Sequence, residues 1–128
     1  KIVIFFIFLH ILNFGQSISF RSQIKLICFI NKLNNNTKYF REKIALAGFS
    51  IKESNHPIVP IMLGDAKLAT KLSRYMLDDG IYVIGFSFPV VPKKQARIRV
   101  QISASHSKNQ LDNAIESFIK NGEKLNII

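Results

Sequence analysis

The sequence predicts a small α/β domain of the α+β type, in which helices cover one face of a short, mainly antiparallel sheet. Two observations carry this prediction. Apolar residues recur at helical spacing in three segments, and three short runs rich in β-branched residues lie among them. The predicted order is α-β-α-β-β-α, and 128 residues are enough for one such domain.

The first predicted helix starts at Thr37, or at one of the asparagines just before it, and ends at about Ala47. Phe40 and Ile44 lie one turn apart and give this helix an apolar face. Gly48 suits the left-handed residue that ends a helix. The polar, asparagine-rich stretch before Thr37 is typical of a linker or of a helix start.

The next two elements are a strand and a helix. Residues 57–63 form a short apolar run with β-branched members, which predicts the first strand. Pro60 inside this run indicates an edge strand or a bulge, because proline cannot donate to the sheet ladder. Asp65 suits the N-cap of the second helix, and Gly80 suits its end. Its buried side is predicted to consist of Leu68, Leu72, Tyr75 and Met76.

The last three elements follow directly. Residues 81–84 and 96–103 are predicted to form the second and third strands. Ser107 and Gln110 form a capping-box pattern that opens the last helix. The buried stripe of that helix is predicted to consist of Leu111, Ile115, Phe118 and Ile119.

The third predicted strand carries two arginines on one face. Side chains alternate between the two faces of a strand, so Arg97 and Arg99 lie opposite to Ile98 and Val100. The loop before the strand, residues 89–92, begins and ends with proline and is therefore stiff. An arginine fork can hold a carboxylate through two parallel hydrogen bonds. This face is therefore a candidate anion site, and the alternation does not choose between the two arginines.

Composition argues against several other classes of function. The net charge is +10, but the basic residues are scattered among Ile and Phe and form no basic patch with interleaved aromatics, so no nucleic-acid partner is expected. Cys28 is the only cysteine, which excludes an intrachain disulfide and a cysteine metal cluster. Since it lies in an apolar run, a buried, inert thiol is expected. The three histidines are far apart, and no metal site is expected.

The N-terminal residues differ from the rest of the chain. Residues 2–12 are apolar but too few to cross a bilayer, which needs roughly 20 residues. Their length suits the apolar part of a signal peptide, yet no small-residue cleavage pattern follows. Residues 1–36 are therefore expected to be foreign to the domain behind them, as a gene-model artefact or a targeting segment, and residues 37–128 to form that domain. Membrane association is not expected.

From about Thr37 to its end, the chain resembles the C-terminal part of the glycine C-acetyltransferases, also called 2-amino-3-ketobutyrate coenzyme A ligases. These are pyridoxal-phosphate enzymes of the α-oxoamine synthase group and of the aspartate aminotransferase fold type. The segments that carry the resemblance are 40–49 (FREKIALAGF), 56–66 (HPIVPIMLGDA) and 80–106 (GIYVIGFSFPVVPKKQARIRVQISASH). The resemblance implies the C-terminal domain of a pyridoxal-phosphate enzyme of fold type I.

The resemblance also implies a reaction and a site. The family condenses glycine with acetyl-CoA to 2-amino-3-ketobutyrate, in reverse the last step of threonine breakdown, and works as a homodimer. Members are mitochondrial in eukaryotes and cytoplasmic in bacteria. Arg99 matches the arginine that binds the glycine carboxylate, which leaves Arg97 a supporting or structural role. The residues that match the loop bordering the substrate pocket are Pro89, Val90, Val91 and Pro92.

Two departures from the family limit what the chain is expected to do alone. Lys94 stands where the family usually has glycine, at a turn expected to need a positive φ. The cofactor lysine of the family precedes Gly-Gly, a pair that this chain lacks, so no catalytic or cofactor-binding residue is assigned and the chain alone is expected to be inactive. The alternatives are a fragment of another α-oxoamine synthase, or a free-standing, non-catalytic module that binds a partner or is tethered to a membrane.

Overall fold

The computed structural model describes residues 20–128, where three helices and three strands follow one another as α-β-α-β-β-α. The helices are α1 (Phe20–Leu46), α2 (Ala66–Asp78) and α3 (Lys108–Lys124), and the strands are β1 (Ile58–Gly64), β2 (Ile84–Phe86) and β3 (Ala96–Gln101). The strands lie in the order β1-β3-β2, and both pairs are antiparallel. The predicted fold class and the predicted order of elements are confirmed.

Helix α1 is longer than the sequence predicts. A start near Thr37 is wrong, because the helix already runs through the asparagine-rich stretch. Asparagine is only about 0.7 kcal/mol or less worse than the best helix formers, so three of them do not interrupt a helix. The Thr37 hydroxyl donates to the carbonyl of Leu33, one turn earlier, at 2.7 Å. Thr37 therefore makes its hydrogen bond inside the helix and does not cap a helix start. The predicted end is confirmed, since Gly48 follows with a φ of +101°.

The first described side chains of α1, those of residues 22–32, are not buried. Residues 22–32 are all exposed, and burial begins with the half-buried Leu33. Cys28 lies among these residues, so the prediction of a buried thiol is wrong. The apolar residues around it, such as Ile27 and Phe29, are more than half exposed and do not belong to the core of the described residues. The predicted division of the chain after residue 36 stays a prediction, and the apolar run 2–12 lies outside the described residues.

The predicted edge position of β1 is confirmed. The strand lies at one side of the sheet, and its pairing with β3 shifts by one residue between Met62 and Gly64, which is a bulge. The predicted N-cap of α2 is also confirmed, since the Asp65 carboxylate accepts from the amide of Lys67 at 2.9 Å. Gly80 follows α2 with a φ of +82°.

Strand β2 is displaced from its predicted position at residues 81–84. The amide of Ile81 donates to the carbonyl of Met76 at 2.8 Å, so the chain is still tied to the end of α2 there and pairs with β3 only from Ile84 on. The capping box of α3 is confirmed: Ser107 Oγ accepts from the Gln110 amide, and Gln110 Oε1 accepts from the Ser107 amide.

The core lies on the inner face of the sheet, where α2 packs. Gly85 of β2 allows this contact, because a Cβ at that position would lie 3.1 Å from the Ala69 carbonyl oxygen of α2. Edge-to-face contacts of Phe118 with Phe40 and Phe49 join α3 to α1. Helices thus cover the inner face, and the outer face is free to carry a site.

Within residues 20–128, no helix is long and apolar enough to cross a membrane. In the same part of the chain, no three His, Cys, Asp or Glu side chains come together as they would around a metal ion.

Candidate functional site

The outer face of the sheet presents the two arginines that the alternation of β3 predicts. The apolar residues of β3 are buried, whereas Arg97 is half-buried and Arg99 is exposed. The antiparallel register places Arg99 opposite Pro60 of β1 and Ile84 of β2, and it places Arg97 opposite Phe86 of β2. Residues that pair directly across strands share a face. The arginines therefore lie on a partly apolar surface formed by all three strands.

A cavity of about 580 Å³ opens at this face. The residues that line it are Lys52, Glu53, Ser54, His56, Ile58, Pro60, Phe86, Val91, Arg97 and Arg99. A larger cavity of about 1090 Å³ lies beside α3 and also borders Arg99, but neither Arg97 nor Val91 reaches it. The smaller cavity is the better candidate site, because it brings together both arginines of β3 and a residue of the preceding loop.

The Arg99 guanidinium has an aromatic neighbour and, among the described residues, no ion-pair partner. Its Cζ lies 5.5 Å from the centroid of the Phe86 ring, a cation–π distance. Among the described residues, no Asp or Glu forms an ion pair with Arg97 or Arg99. Both forks thus keep hydrogen-bond donors for an anion that enters the cavity.

The loop of residues 89–92 contributes one residue to this cavity. Val91 is 7% exposed and lines the cavity, whereas Pro89, Val90 and Pro92 are exposed and line neither cavity. Further along the loop, Lys94 has a φ of +64°. The expected positive φ at this position is confirmed, and a lysine occupies a conformation that glycine adopts more easily.

Segment 52–58 is a part of the site that the sequence does not predict. Arg41 of α1 is 8% exposed and donates to the carbonyls of Lys52, His56 and Ile58 at 2.9, 2.9 and 3.0 Å. Burial lowers the pKa of Arg41. The ring of His56 is held as well, because its Nδ1 accepts from the amide of Ile58 at 3.1 Å. The helical position of Arg41, next to the buried Phe40, is the only sequence signal for this contact.

His106 has a structural environment, as its sequence position suggests. Its Nδ1 accepts from the amide of Ser103 at 3.2 Å, and its carbonyl accepts from the side chain of Asn36 at 3.0 Å. Burial lowers the pKa of His106. These bonds fix the turn between β3 and α3.

The sheet and its helices have the fold found in part of the pyridoxal-phosphate enzymes of fold type I. The backbone matches a solved structure of serine palmitoyltransferase from S. paucimobilis with a TM-score of 0.72 and 26% identity, over 77% of this chain and 25% of that one. That structure holds a pyridoxal-phosphate–myriocin adduct. The chain belongs to the aminotransferase class I and II family, whose model matches residues 23–118.

Curated relatives share a higher sequence identity with the chain than this solved structure does. The human mitochondrial 2-amino-3-ketobutyrate coenzyme A ligase is 52% identical over 93 residues, which are 73% of this chain and 22% of the relative. The Escherichia coli ligase is 47% identical over 98 residues, 77% of this chain and 25% of the relative. The 8-amino-7-oxononanoate synthase of Thermosipho melanesiensis is 48% identical over 99 residues, with the same two shares. The chain spans about a quarter of the length of the relatives it matches.

The described residues do not fit the attachment of pyridoxal phosphate. A lysine that forms a Schiff base needs an amine desolvated enough to lose its proton. Every lysine from Lys25 to Lys124 is exposed. The outer face of the sheet does fit an anion, because it offers guanidinium donors beside an apolar wall. The geometry therefore offers a candidate anion site on this face, whereas every described lysine from Lys25 to Lys124 is exposed.

Proposed function

We propose that this domain binds the carboxylate of glycine in a pyridoxal-phosphate-dependent acyltransferase that condenses glycine with acetyl-CoA to 2-amino-3-ketobutyrate. The observation that carries the proposal is the exposed Arg99, which faces a cavity and pairs with no carboxylate of the described residues. The coenzyme A ligases at 47–52% identity support the choice of reaction. As the resemblance implies, the reverse reaction would be the last step of threonine breakdown.

The role of the site is to bind and to orient. A fork of two parallel hydrogen bonds from Arg99 fixes both the position and the plane of a carboxylate. Phe86 restrains the guanidinium from below by its cation–π contact. Val91 and Pro60 present apolar surface beside the bound group. Holding a small substrate in one orientation is a large part of catalysis by proximity, and here it is the contribution of this chain.

The rest of the proposed enzyme comes from residues beyond those described. Pyridoxal phosphate serves such reactions as an electron sink. Since the lysines of residues 22–128 are exposed, we propose that this chain by itself does not catalyse the reaction. The proposal includes a homodimer, mitochondrial location in a eukaryote and cytoplasmic location in a bacterium.

A second candidate is another α-oxoamine synthase. The 8-amino-7-oxononanoate synthase is 48% identical, within the 47–52% range of the ligases, so identity alone does not choose the acyl donor. A third candidate, a free-standing partner-binding module, is favoured by the exposed apolar side chains on the N-terminal half of α1. These are Ile24, Leu26, Ile27, Phe29 and Ile30.

A chimera tests the proposed reaction. The last quarter of the Escherichia coli ligase is replaced by the 98 matched residues of this chain, and release of free CoA thiol from acetyl-CoA is measured with and without glycine. Glycine-dependent release supports the proposal. A folded chimera that binds pyridoxal phosphate but releases no thiol would overturn it, and a preference for another amino acid or acyl donor would favour the second candidate.

The chain alone provides a complementary test. The purified 128-residue protein is mixed with pyridoxal phosphate, and its visible absorbance is scanned before and after borohydride. We expect no stoichiometric band that borohydride removes. A band traced to one lysine would show that the chain also attaches the cofactor. That result would contradict the assignment of substrate binding as its sole role.

A further inference from the structure

Arg41 is a buried cation without a buried anion. Only 8% of its surface is exposed, and none of the described carboxylates pairs with it. Burying a charge is costly unless hydrogen bonds compensate for the lost water. Three backbone carbonyls supply these bonds, at 2.9 to 3.0 Å, while the Nε donor stays buried without a partner. An apolar side chain could fill this helix position without that cost. The hydrogen bonds to the three carbonyls therefore explain why an arginine is present here.

The three carbonyls belong to one segment, residues 52–58, which connects the Ile51 bridge to the start of β1. Regular strand pairing with β3 begins only at Ile58. The Pro57 carbonyl also accepts from the Ile102 amide at 3.0 Å. Before Pro57, residues 52–56 are held by Arg41 and by short turns within the segment, such as the bond from the His56 amide to Ser54 Oγ at 3.0 Å. The side chains of the same segment line the cavity that Arg97 and Arg99 also line.

We infer that Arg41 is a positioning residue of the carboxylate site: it holds segment 52–58 as a wall of the cavity and thereby sets the space in front of Arg99. The inference deepens the proposed function and rests on it. A guanidinium suits this task better than an ammonium, because its planar fork reaches three carbonyls at once, whereas an ammonium is a compact point charge. Arg41 itself touches no substrate and acts only through the backbone of the segment.

The first test uses the 128-residue chain and no ligand. Backbone ¹⁵N relaxation is compared between the unaltered chain and Arg41→Met. Residues 52–56 should change from the order parameters of rigid backbone, about 0.85, to below about 0.6, while β3 stays rigid. The matched control is Arg74→Met, since Arg74 is exposed on α2. Unchanged relaxation of the segment in Arg41→Met would overturn the inference.

The second test measures steady-state kinetics in the chimera with the Escherichia coli ligase. Arg41→Met should raise the KM for glycine about tenfold or more and leave the KM for acetyl-CoA nearly unchanged, because only the carboxylate site loses its wall. Arg41→Lys should recover part of the affinity. A purely structural role would lower the amount of active enzyme and leave the KM for glycine unaltered, and that result overturns the inference.

The outcomes separate this inference from the proposed function. If the unaltered chimera is inactive, the proposed function fails, and the relaxation data still decide whether Arg41 holds the segment. If the chimera is active and its Arg41 variants keep the KM for glycine and the backbone relaxation of the unaltered protein, the proposed function stands and only the inference fails. If Arg41→Met does not fold by near-ultraviolet circular dichroism, Arg41→Lys carries both measurements.

Discussion

The guanidinium of Arg99 lies over the ring of Phe86, with its Cζ 5.5 Å from the ring centroid. The two residues are diagonal neighbours on adjacent strands, because Arg99 pairs with Ile84 and Phe86 pairs with Arg97. A contact of this kind at an exposed site is worth about 0.5–1 kcal/mol. The ring therefore restrains the side chain on which the proposed function depends, without neutralising its charge.

Replacement of this ring should weaken glycine binding. Phe86→Leu keeps an apolar side chain but removes the aromatic face, so the KM for glycine in the chimera should rise about two- to fivefold. Phe88→Leu is the matched control, because the Phe88 ring lies near Lys93 instead. Equal effects of the two substitutions on the KM for glycine would show that the Phe86 ring does not orient Arg99.

Lys94→Gly should stabilise the domain. A side chain at a φ of +64° costs about 1–2 kcal/mol, and the flexibility of glycine in the unfolded chain takes back about 0.5–1 kcal/mol of that gain. The difference of these two ranges is about 0–1.5 kcal/mol, and its midpoint, about 0.75 kcal/mol, corresponds to a rise in Tm of about 3 °C. Thermal unfolding followed by circular dichroism measures it. Lys93→Gly is the control and should lower Tm, and a lower Tm for Lys94→Gly as well would contradict the argument.

Asp79 should make stability depend on pH at the acid end. Hydrogen bonds from Ser117, Asn121 and Lys120 lower the pKa of its carboxyl to about 2. Because this folded pKa lies below the unfolded value of about 3.9, the carboxylate stabilises the fold above about pH 4, and the contribution is lost as the pH falls through about 2.

Urea unfolding of Asp79→Asn and of the unaltered chain across this range checks the prediction. The variant should be less stable near neutral pH, and the difference should shrink between about pH 4 and pH 2. Asp78→Asn is the control, because Asp78 is exposed at the end of the same helix. A difference that stays constant with pH would assign the effect to lost packing.

The local rules of sequence predict those parts of the fold that depend on neighbours in the chain. The alternation of β3 predicts the face of Arg97 and Arg99, and Asp65 and Ser107 predict two helix starts. Each of these features is decided within a few residues, by side-chain period or by a capping hydrogen bond.

Two kinds of feature escape prediction from the sequence. Some depend on contacts between residues distant in the chain, and others belong to a segment without buried side chains. Residues 22–32 of α1 are all exposed, so helical spacing gives no signal there. The shift of β2 follows from the bond between Ile81 and Met76 at the end of α2. Arg41 recognises carbonyls 11 to 17 residues away, and backbone carbonyls leave no trace in a side-chain pattern. The wall of the site is therefore visible only in the folded chain.

The central claim is that Arg99, and not its neighbour Arg97, holds the glycine carboxylate, and one pair of variants tests it. In the chimera, Arg99→Ala should lower kcat/KM for glycine about a hundredfold or more, as expected for two lost hydrogen bonds to a charged group. Arg97→Ala should lower it less than about tenfold. If both variants lose the same amount of kcat/KM, or if Arg97→Ala alone is inactive, the carboxylate site is not where the proposal places it.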